Sequence, residues 1–284
     1  MSVKESRDTG DVLVERRYST VLVTLNRPSR GNSIQGTLMR DLIAAVEAAD
    51  HEDDVRAVVT TGEGPTYCVG ADVAALRRLG PDALGNLHDL GYQGELGGDW
   101  GMPELSPSQK RSDTLGFGRW VMRFLDVATP TIAAINGGVA GGGLSLALLH
   151  DIRIASTTAL FSPVFVALGA SPEMGLSWLL PRIVGMPKAF DFLTRTRPIC
   201  AEEALEMGLV EAVVDPADLH DAALERAAHF AKLPKLSVRM VKRLLQQSAG
   251  STLEAQLERE WHNQTRLFGF NETGDTIKAY LERM

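Results

Sequence analysis

Two glycine-bearing turns contain the residues of this chain whose types and spacing are best suited to chemistry. The first is TYCVGADV, in which Gly70 frees the backbone to turn and a helix is expected to begin near Ala71. The second is INGGVAGGGLSLALLHD, a glycine run within which another helix starts. Because the first N–H groups of a helix lack intrahelical acceptors, each turn would present backbone donors. Two such turns side by side would form a two-donor pocket for a developing oxyanion.

Two candidate nucleophiles lie beside these turns. The segment GLSLA at residues 143–147 is close to the G-x-S-x-G elbow of hydrolases, and Ser145 as a nucleophile would indicate an ester or thioester hydrolase. Ala147 breaks that motif, however, and the histidines that follow lie in predicted helices with no motif around them. Cys68 has no His or Asn placed near it by a motif, so we interpret it as a small buried residue.

The elements that must position these turns alternate between strand and helix. Helical spacing of the apolar residues indicates a helix that contains Leu38, Leu42, Ile43 and Val46. Buried apolar runs predict a hairpin at 12–26 and strands at 55–61, 131–136, 152–156 and 209–214. This alternation favours an α/β fold, and the pattern after residue 215 is almost wholly helical. The glycine-rich segment 79–112 is irregular, which is typical of a lid, a binding loop or a disordered segment.

Composition excludes several classes of protein. The formal net charge of −7 argues against a protein that coats nucleic acid, which would need a basic face. Two cysteines are too few for a disulfide framework and lack metal-ligand spacing, so we expect no metal and a reducing cytoplasm. The first residues lack the apolar core of a signal peptide. The uncharged stretch 127–149 contains Pro130, Asn136 and five glycines, which predicts buried elements and not a membrane span.

Five segments in order resemble the crotonase (enoyl-CoA hydratase/isomerase) family. They are NRPSRGNS, RAVVTTGEGPTYCVGADV, PTIAAINGGVAGGGLSLALLHDIRIAS, LPRIVG and AEEALEMGLVEAVV. The resemblance runs from about Val12 to about Val214, and the C-terminal helical part also looks similar to the family. It implies a crotonase-like spiral of ββα units over residues 1–215 and a C-terminal helical trimerisation part over 216–284. It further implies a homotrimer or a dimer of trimers, with an acyl-CoA thioester as the ligand and no cofactor besides the coenzyme A that the substrate carries.

The same resemblance implies roles for particular residues. The two oxyanion donors would be the backbone N–H groups of Val69 and Gly142. Gly141 would also contact the ligand, and the backbone around Ala71 and Asp72 would lie near the adenine. Basic side chains such as Arg27 or Arg30 could meet the phosphates.

The chain departs from the hydratases of this family at both of their catalytic glutamates. Ser145 stands at one of these positions and Phe165 at the other. Neither side chain can act as a general base at neutral pH, which disfavours water addition by the two-glutamate mechanism. Glu173, in SPEMG, is an acid that remains nearby, and some double-bond-shifting isomerases of the family resemble this chain in placing their single acid in a P-E or P-D pair. We therefore predict a Δ3,Δ2-enoyl-CoA isomerase-like reaction with Glu173 as the proton shuttle.

Other interpretations stay open at this point. Glu173 could simply provide a favourable charge in the first turn of a helix. Acids of the 79–112 segment could instead support a hydratase or a thioester hydrolase, and the chain could also bind acyl-CoA without turnover. Asp151 is expected to be structural, paired with Arg182. The acyl group and the pathway are not readable from the sequence.

Overall fold

The larger of two β-sheets has apolar, buried strands at its centre and a more polar antiparallel hairpin toward one edge. In this computed structural model, which describes residues 6–8, 10–72, 115 and 118–284, the sheet has the order β1-β2-β3-β4-β6-β8-β11. Pairing is antiparallel from β1 to β3 and parallel from β3 to β11. All six residues of β4 are buried, as expected of a parallel strand covered on both faces. The strands are β1 (Ser6–Asp8), β2 (Val12–Arg17), β3 (Thr20–Leu25), β4 (Ala57–Gly62), β6 (Thr131–Ile135), β8 (Ile152–Ser156) and β11 (Ala212–Val214).

The smaller sheet brings three chain segments to one edge. Its order is β10-β9-β7-β5, formed by β5 (Thr66–Cys68), β7 (Gly138–Ala140), β9 (Leu160–Ser162) and β10 (Ile199–Cys200). β5, β7 and β9 are parallel neighbours, so their carboxyl ends meet at the same edge of the sheet. The residues that follow these three strands are therefore close together, and they include both glycine turns.

Amphipathic helices cover the sheets. Leu38, Leu42, Ile43 and Val46 of the first helix are all buried in the main core, as their spacing predicts. The helices are α1 (Leu38–His51), α2 (Gly118–Asp126), α3 (Gly142–Leu148), α4 (Val164–Ala167), α5 (Leu176–Val184), α6 (Met186–Thr194), α7 (Ala201–Met207), α8 (Leu219–Ala231), α9 (Lys235–Ser248), α10 (Leu253–Phe268) and α11 (Asn271–Leu281). A short 3-10 helix spans Pro28–Arg30. None of the described helices is long and apolar enough to cross a membrane.

The predicted α/β architecture is confirmed, with differences at the boundaries. The last predicted strand, 209–214, shortens to β11 because the N–H of Leu209 turns back to the carbonyl of Ala204, 2.8 Å away. The helix expected near Ala71 and the irregular segment 79–112 lie outside the described residues. The domain boundary after residue 215 stays a prediction, and α8, which follows it, buries Leu219 and Ala223 against the larger sheet.

Lys242 fastens α9 to the core. Its Nζ lies 2.7 Å from Oδ2 of Asp151 and donates to the carbonyl of Thr129 at 2.9 Å. The expected pair between Asp151 and Arg182 is wrong, because Asp151 faces Lys242 and the N–H of Thr131 while Arg182 stacks over the Trp178 ring, 3.8 Å from its centroid. The position of Asp151 in the sequence does not show whether Lys242 or Arg182 is its partner.

Replacing Lys242 with alanine is expected to lower the free energy of unfolding by about 2 kcal/mol, because a buried charged hydrogen-bond donor is removed from two acceptors. Arg243→Ala, one residue along the same helix, removes an exposed pair with Asp126 and should cost less than about 1 kcal/mol. Chemical denaturation of both variants measures the difference. Equal losses would contradict the fastening role.

Candidate active site

The two glycine turns touch each other at the carboxyl ends of β5 and β7. β5 leads into Val69 and Gly70, and β7 leads into Gly141 and Gly142. A Cβ atom on Gly70 would lie 2.6 Å from the nitrogen of Gly142, too close for any side chain. The φ angle of Gly70, +75°, also favours glycine. The close approach of the turns is thus confirmed, and it depends on glycine at position 70.

Gly142 offers an unpaired backbone donor in this pocket. It is the first residue of α3, and its N–H has no hydrogen-bond partner among the residues that the structure describes. Gly141 precedes it with a φ of +52° and turns the chain from strand to helix. An N–H group without an intramolecular acceptor can bind the charge that develops on a thioester oxygen. The geometry is therefore compatible with the role predicted for Gly142.

Val69 is at the pocket, but its N–H is already engaged. It donates to the carbonyl of Gly31 at 3.0 Å, while the N–H of Ile34 donates to the carbonyl of Gly70 at 2.7 Å. These two hydrogen bonds hold residues 31–34 beside the first glycine turn. The second oxyanion donor therefore stays a prediction, and the Val69 hydrogen bond would have to be shared with, or given up to, a thioester oxygen.

Glu173 points its carboxylate toward the second glycine turn. Its Oε1 lies 3.8 Å from the position that a Cβ atom on Gly142 would occupy. The two residues after it, Met174 and Gly175, are both left-handed, with φ angles of +51° and +78°. Such a turn is unfavourable for methionine, so the surrounding packing must hold it in place. The candidate base and the candidate donor thus share one pocket.

Burial raises the pKa of Glu173 above its ordinary value. The residue as a whole keeps an exposed surface, whereas its carboxyl group is crowded by protein atoms. The carboxyl end, which lies on the side of Gly142, determines the proton affinity of this residue. Because burial disfavours the charged form, a proton binds this carboxylate more tightly than it binds one in water.

Apolar side chains form the wall around these groups. A Cβ atom on Gly142 would lie 3.1 Å from Cδ1 of Ile34 and 3.1 Å from Sδ of Met174. One on Gly141 would lie 3.4 Å from Cγ2 of Val164 and 4.0 Å from Cζ of Phe165. Phe165, which the sequence resemblance matches to a hydratase glutamate, is buried at this wall. The described wall of the pocket next to Gly141 and Gly142 is therefore mainly apolar.

Ser145 is bound within the protein and is not arranged as a nucleophile. Its hydroxyl is fully buried and donates to the main-chain carbonyl of Glu173 at 3.0 Å. His150, the nearest histidine in sequence, is engaged elsewhere: its Nε2 lies 2.8 Å from the Thr60 hydroxyl and its Nδ1 lies 3.0 Å from the carbonyl of Leu146. Nothing in the described part of the chain pairs Ser145 with a histidine, so the hydrolase elbow lacks its base.

Burial also makes His150 and Cys68 unsuitable for acid–base or nucleophilic work. It lowers the pKa of His150 to about 3, so the ring is neutral. It raises the pKa of the Cys68 thiol to about 12, which keeps the sulfur protonated at neutral pH. Within the described ranges, no group of three or more His, Cys, Asp or Glu side chains is placed to hold a metal ion.

The two arginines proposed for the phosphates have partners in the protein. Arg27 Nη1 donates to the carbonyl of Ser33 at 3.2 Å, and its Nε lies 3.6 Å from Oδ1 of Asp11. Arg30 donates through Nε to the buried carboxylate of Asp72 at 2.6 Å. Both arginines therefore hold the 27–35 loop against its surroundings. Their contact with phosphate, and that of exposed Ala71 with adenine, stay predictions.

Sequence reasoning missed three of the wall residues, Ile34, Val164 and Met174. Ile34 directly follows the segment NRPSRGNS, and Val164 directly precedes Phe165, so both lay next to positions already singled out. Met174 directly follows Glu173 and so had the same kind of signal, but nothing in the sequence indicates its left-handed backbone.

Comparisons with known proteins agree with this architecture. The enoyl-CoA hydratase/isomerase family profile matches residues 15–92 and 99–284. The 1,2-epoxyphenylacetyl-CoA isomerase of Escherichia coli (strain K12) is 32% identical over 88% of this chain and 87% of its own. Among solved structures, DspI of Pseudomonas aeruginosa has a TM-score of 0.80 at 29% identity, covering 99% of this chain and 98% of its own. An enoyl-CoA hydratase from Polaromonas sp. JS666 has a TM-score of 0.78 at 26% identity, covering 96% and 98%. The chain belongs to the enoyl-CoA hydratase/isomerase, or crotonase, family.

Proposed function

We propose that this acyl-CoA enzyme shifts a double bond between the Δ3 and Δ2 positions of an enoyl-CoA thioester, with Glu173 as the proton shuttle. The observation that carries the proposal is the position of the Glu173 carboxylate beside Gly142, in a pocket with Phe165 at its wall and Ser145 buried beneath it. The family resemblance places these two residues where the hydratases have their catalytic glutamates. One base next to one oxyanion site is sufficient for a proton shift. Ser145 and Phe165 supply neither of the acids that the family's two-glutamate route to water addition would use.

The reaction proceeds through an enolate. The thioester oxygen accepts a hydrogen bond from the N–H of Gly142, which makes the protons at C2 acidic. Glu173 removes a proton from C2 of the 3-enoyl thioester, the electrons delocalise to C4, and the protonated carboxyl returns the proton there. The wall that contains Phe165 keeps water from the intermediate and so favours proton return over hydration. No cofactor is needed beyond the coenzyme A of the substrate.

One relative supports the reaction class, and the surface of the C-terminal helices supports assembly into oligomers. An isomerase of an acyl-CoA is among the relatives. Large apolar residues are exposed on the C-terminal helices, among them Leu253, Trp261 and Phe268. Such residues suit burial between subunits, so we propose that the protein assembles as a homotrimer or a dimer of trimers.

The kcat of the isomerisation should fall at acid pH with a midpoint above 4.5, the ordinary pKa of a glutamate. The base must be deprotonated to act, and burial raises its pKa, so protonation stops turnover at a higher pH than it would for an exposed carboxyl. A pH profile of kcat at saturating substrate measures the midpoint. An acid limb at or below the ordinary value would contradict Glu173 as the base.

The function is tested by chromatographic identification of products from a panel of 3-enoyl-CoA and 2-enoyl-CoA thioesters. The expected result is interconversion of the two double-bond isomers without gain of water. A 3-hydroxyacyl-CoA product would indicate a hydratase, free coenzyme A a thioester hydrolase, and unchanged thioester across the panel a binding protein. Each of these three outcomes contradicts the proposal.

A further inference from the structure

A buried serine links the helix that carries the oxyanion donor to the turn that carries the base. Ser145 lies on α3, three residues after Gly142, and its hydroxyl donates to the main-chain carbonyl of Glu173 at 3.0 Å. The same carbonyl accepts the N–H of Leu176, the first residue of α5, also at 3.0 Å. Ser145 is fully buried. This one side-chain hydrogen bond therefore spans the two halves of the catalytic pair.

The turn that receives this bond contains an unfavourable backbone conformation. Glu173 is followed by left-handed Met174 and Gly175. A left-handed methionine costs conformational energy, so contacts from outside the turn must hold it. Met174 is buried, and its sulfur packs near Gly142. The serine hydroxyl adds a directional contact at the residue whose carboxylate must stay beside the donor.

We propose, resting on the function proposed above, that Ser145 is a positioning residue that sets the distance between the Glu173 carboxylate and the N–H of Gly142. The sequence resemblance matches this serine to a catalytic glutamate of the family's hydratases. Ser145 does not supply a second base. Its hydroxyl instead holds the main chain of Glu173, the remaining base.

Ser145→Ala removes the link without leaving a buried acceptor unpaired, because the carbonyl of Glu173 keeps the N–H of Leu176. We therefore expect the variant to fold, and the substitution to change mainly the position of the Glu173 carboxylate. We expect kcat to fall about tenfold with KM within about twofold of wild type, since small misplacements of a catalytic group slow chemistry more than binding. The freed carboxylate becomes more hydrated, so the acid limb of kcat moves to lower pH.

Ser156→Ala is the matched control. Ser156 is equally buried and its hydroxyl is also hydrogen-bonded, to Thr158 at 2.8 Å, but it lies on β8 away from the pocket. This variant should keep the kcat and the acid limb of wild type. Ser145→Cys keeps the side-chain size with a weaker donor and should recover part of the kcat that Ser145→Ala loses.

A double-mutant cycle with Glu173→Gln decides whether Ser145 acts through Glu173. On the Gln background, Ser145→Ala should cause no further loss of kcat. Three results would each overturn the positioning role: wild-type kcat in Ser145→Ala, an acid limb at the wild-type pH in that variant, or an equal further loss of kcat on the Gln background. If Glu173→Gln is itself inactive, the proposed function stands in all three cases. Full activity of Glu173→Gln would overturn both.

Discussion

Glu173→Gln is expected to lower the kcat of double-bond isomerisation by about 10³-fold, with KM changed only a few-fold. Glutamine keeps the size of the side chain and its contacts near Gly142 but cannot take a proton from C2. Substrate binding depends on the pocket wall and the thioester oxygen, which the substitution leaves in place. Steady-state kinetics with a 3-enoyl-CoA substrate measures both constants.

The control for this variant is Glu206→Gln, on the exposed surface of α7, which should keep wild-type kcat. Unfolding does not explain the expected loss at Glu173. A glutamate whose pKa is raised in the folded state adds stability at low pH and loses it as pH rises through the folded-state pKa. At neutral pH the Gln variant should therefore be at least as stable as wild type. A Glu173→Gln enzyme within about tenfold of wild-type kcat would contradict the assignment, since general bases contribute more than that.

Gly70→Ala is expected to reduce kcat/KM by at least about 10²-fold, the size of effect seen when an oxyanion donor is lost. The added methyl group would lie 2.6 Å from the nitrogen of Gly142 and 2.7 Å from the carbonyl oxygen of Ala140. Main-chain atoms cannot yield as a flexible side chain can, so the two turns must separate. The donor then moves away from the base.

An alanine at a positive φ angle is strained even where it has space, so this strain needs its own control. Gly169 has a φ of +69°, close to that of Gly70 at +75°, and a Cβ atom there would meet nothing within 4 Å. Gly169→Ala therefore imposes similar strain without closing the pocket, and it should keep kcat/KM within a few-fold of wild type. Equal losses in both variants would attribute the effect to strain and contradict the role of the close approach.

The core architecture was predictable because its patterns are local. The helical spacing of Leu38, Leu42 and Val46 and the apolar run of β4 each determine which surface is buried. The second glycine turn was predictable as a source of a free backbone donor because it joins a strand to a helix. A second donor in the first turn stays a prediction. The contact between the two turns was not determined by either turn alone, since it depends on β5 and β7 being neighbours in the smaller sheet.

The partners of polar groups could not be predicted in the same way. The N–H of Val69 is paired with Gly31, and Lys242 reaches Asp151 across 91 positions of sequence. Such pairs depend on which distant segments pack together. The type of a residue does not indicate which segment will lie beside it. The link from Ser145 to the carbonyl of Glu173 is of this kind: its donor was noticed as a possible nucleophile, whereas its acceptor is a main-chain atom that every residue carries.

The most direct test of the single-base account uses a 3-enoyl-CoA substrate in which both C2 hydrogens are replaced by deuterium. Because the same carboxyl removes and returns the hydrogen in a pocket walled by Phe165, the account predicts a 2-enoyl-CoA product in which part of the deuterium is found at C4. Mass spectrometry and NMR of the product locate the label. A product whose C4 hydrogen comes wholly from solvent, or one that carries a hydroxyl at C3, would contradict the account.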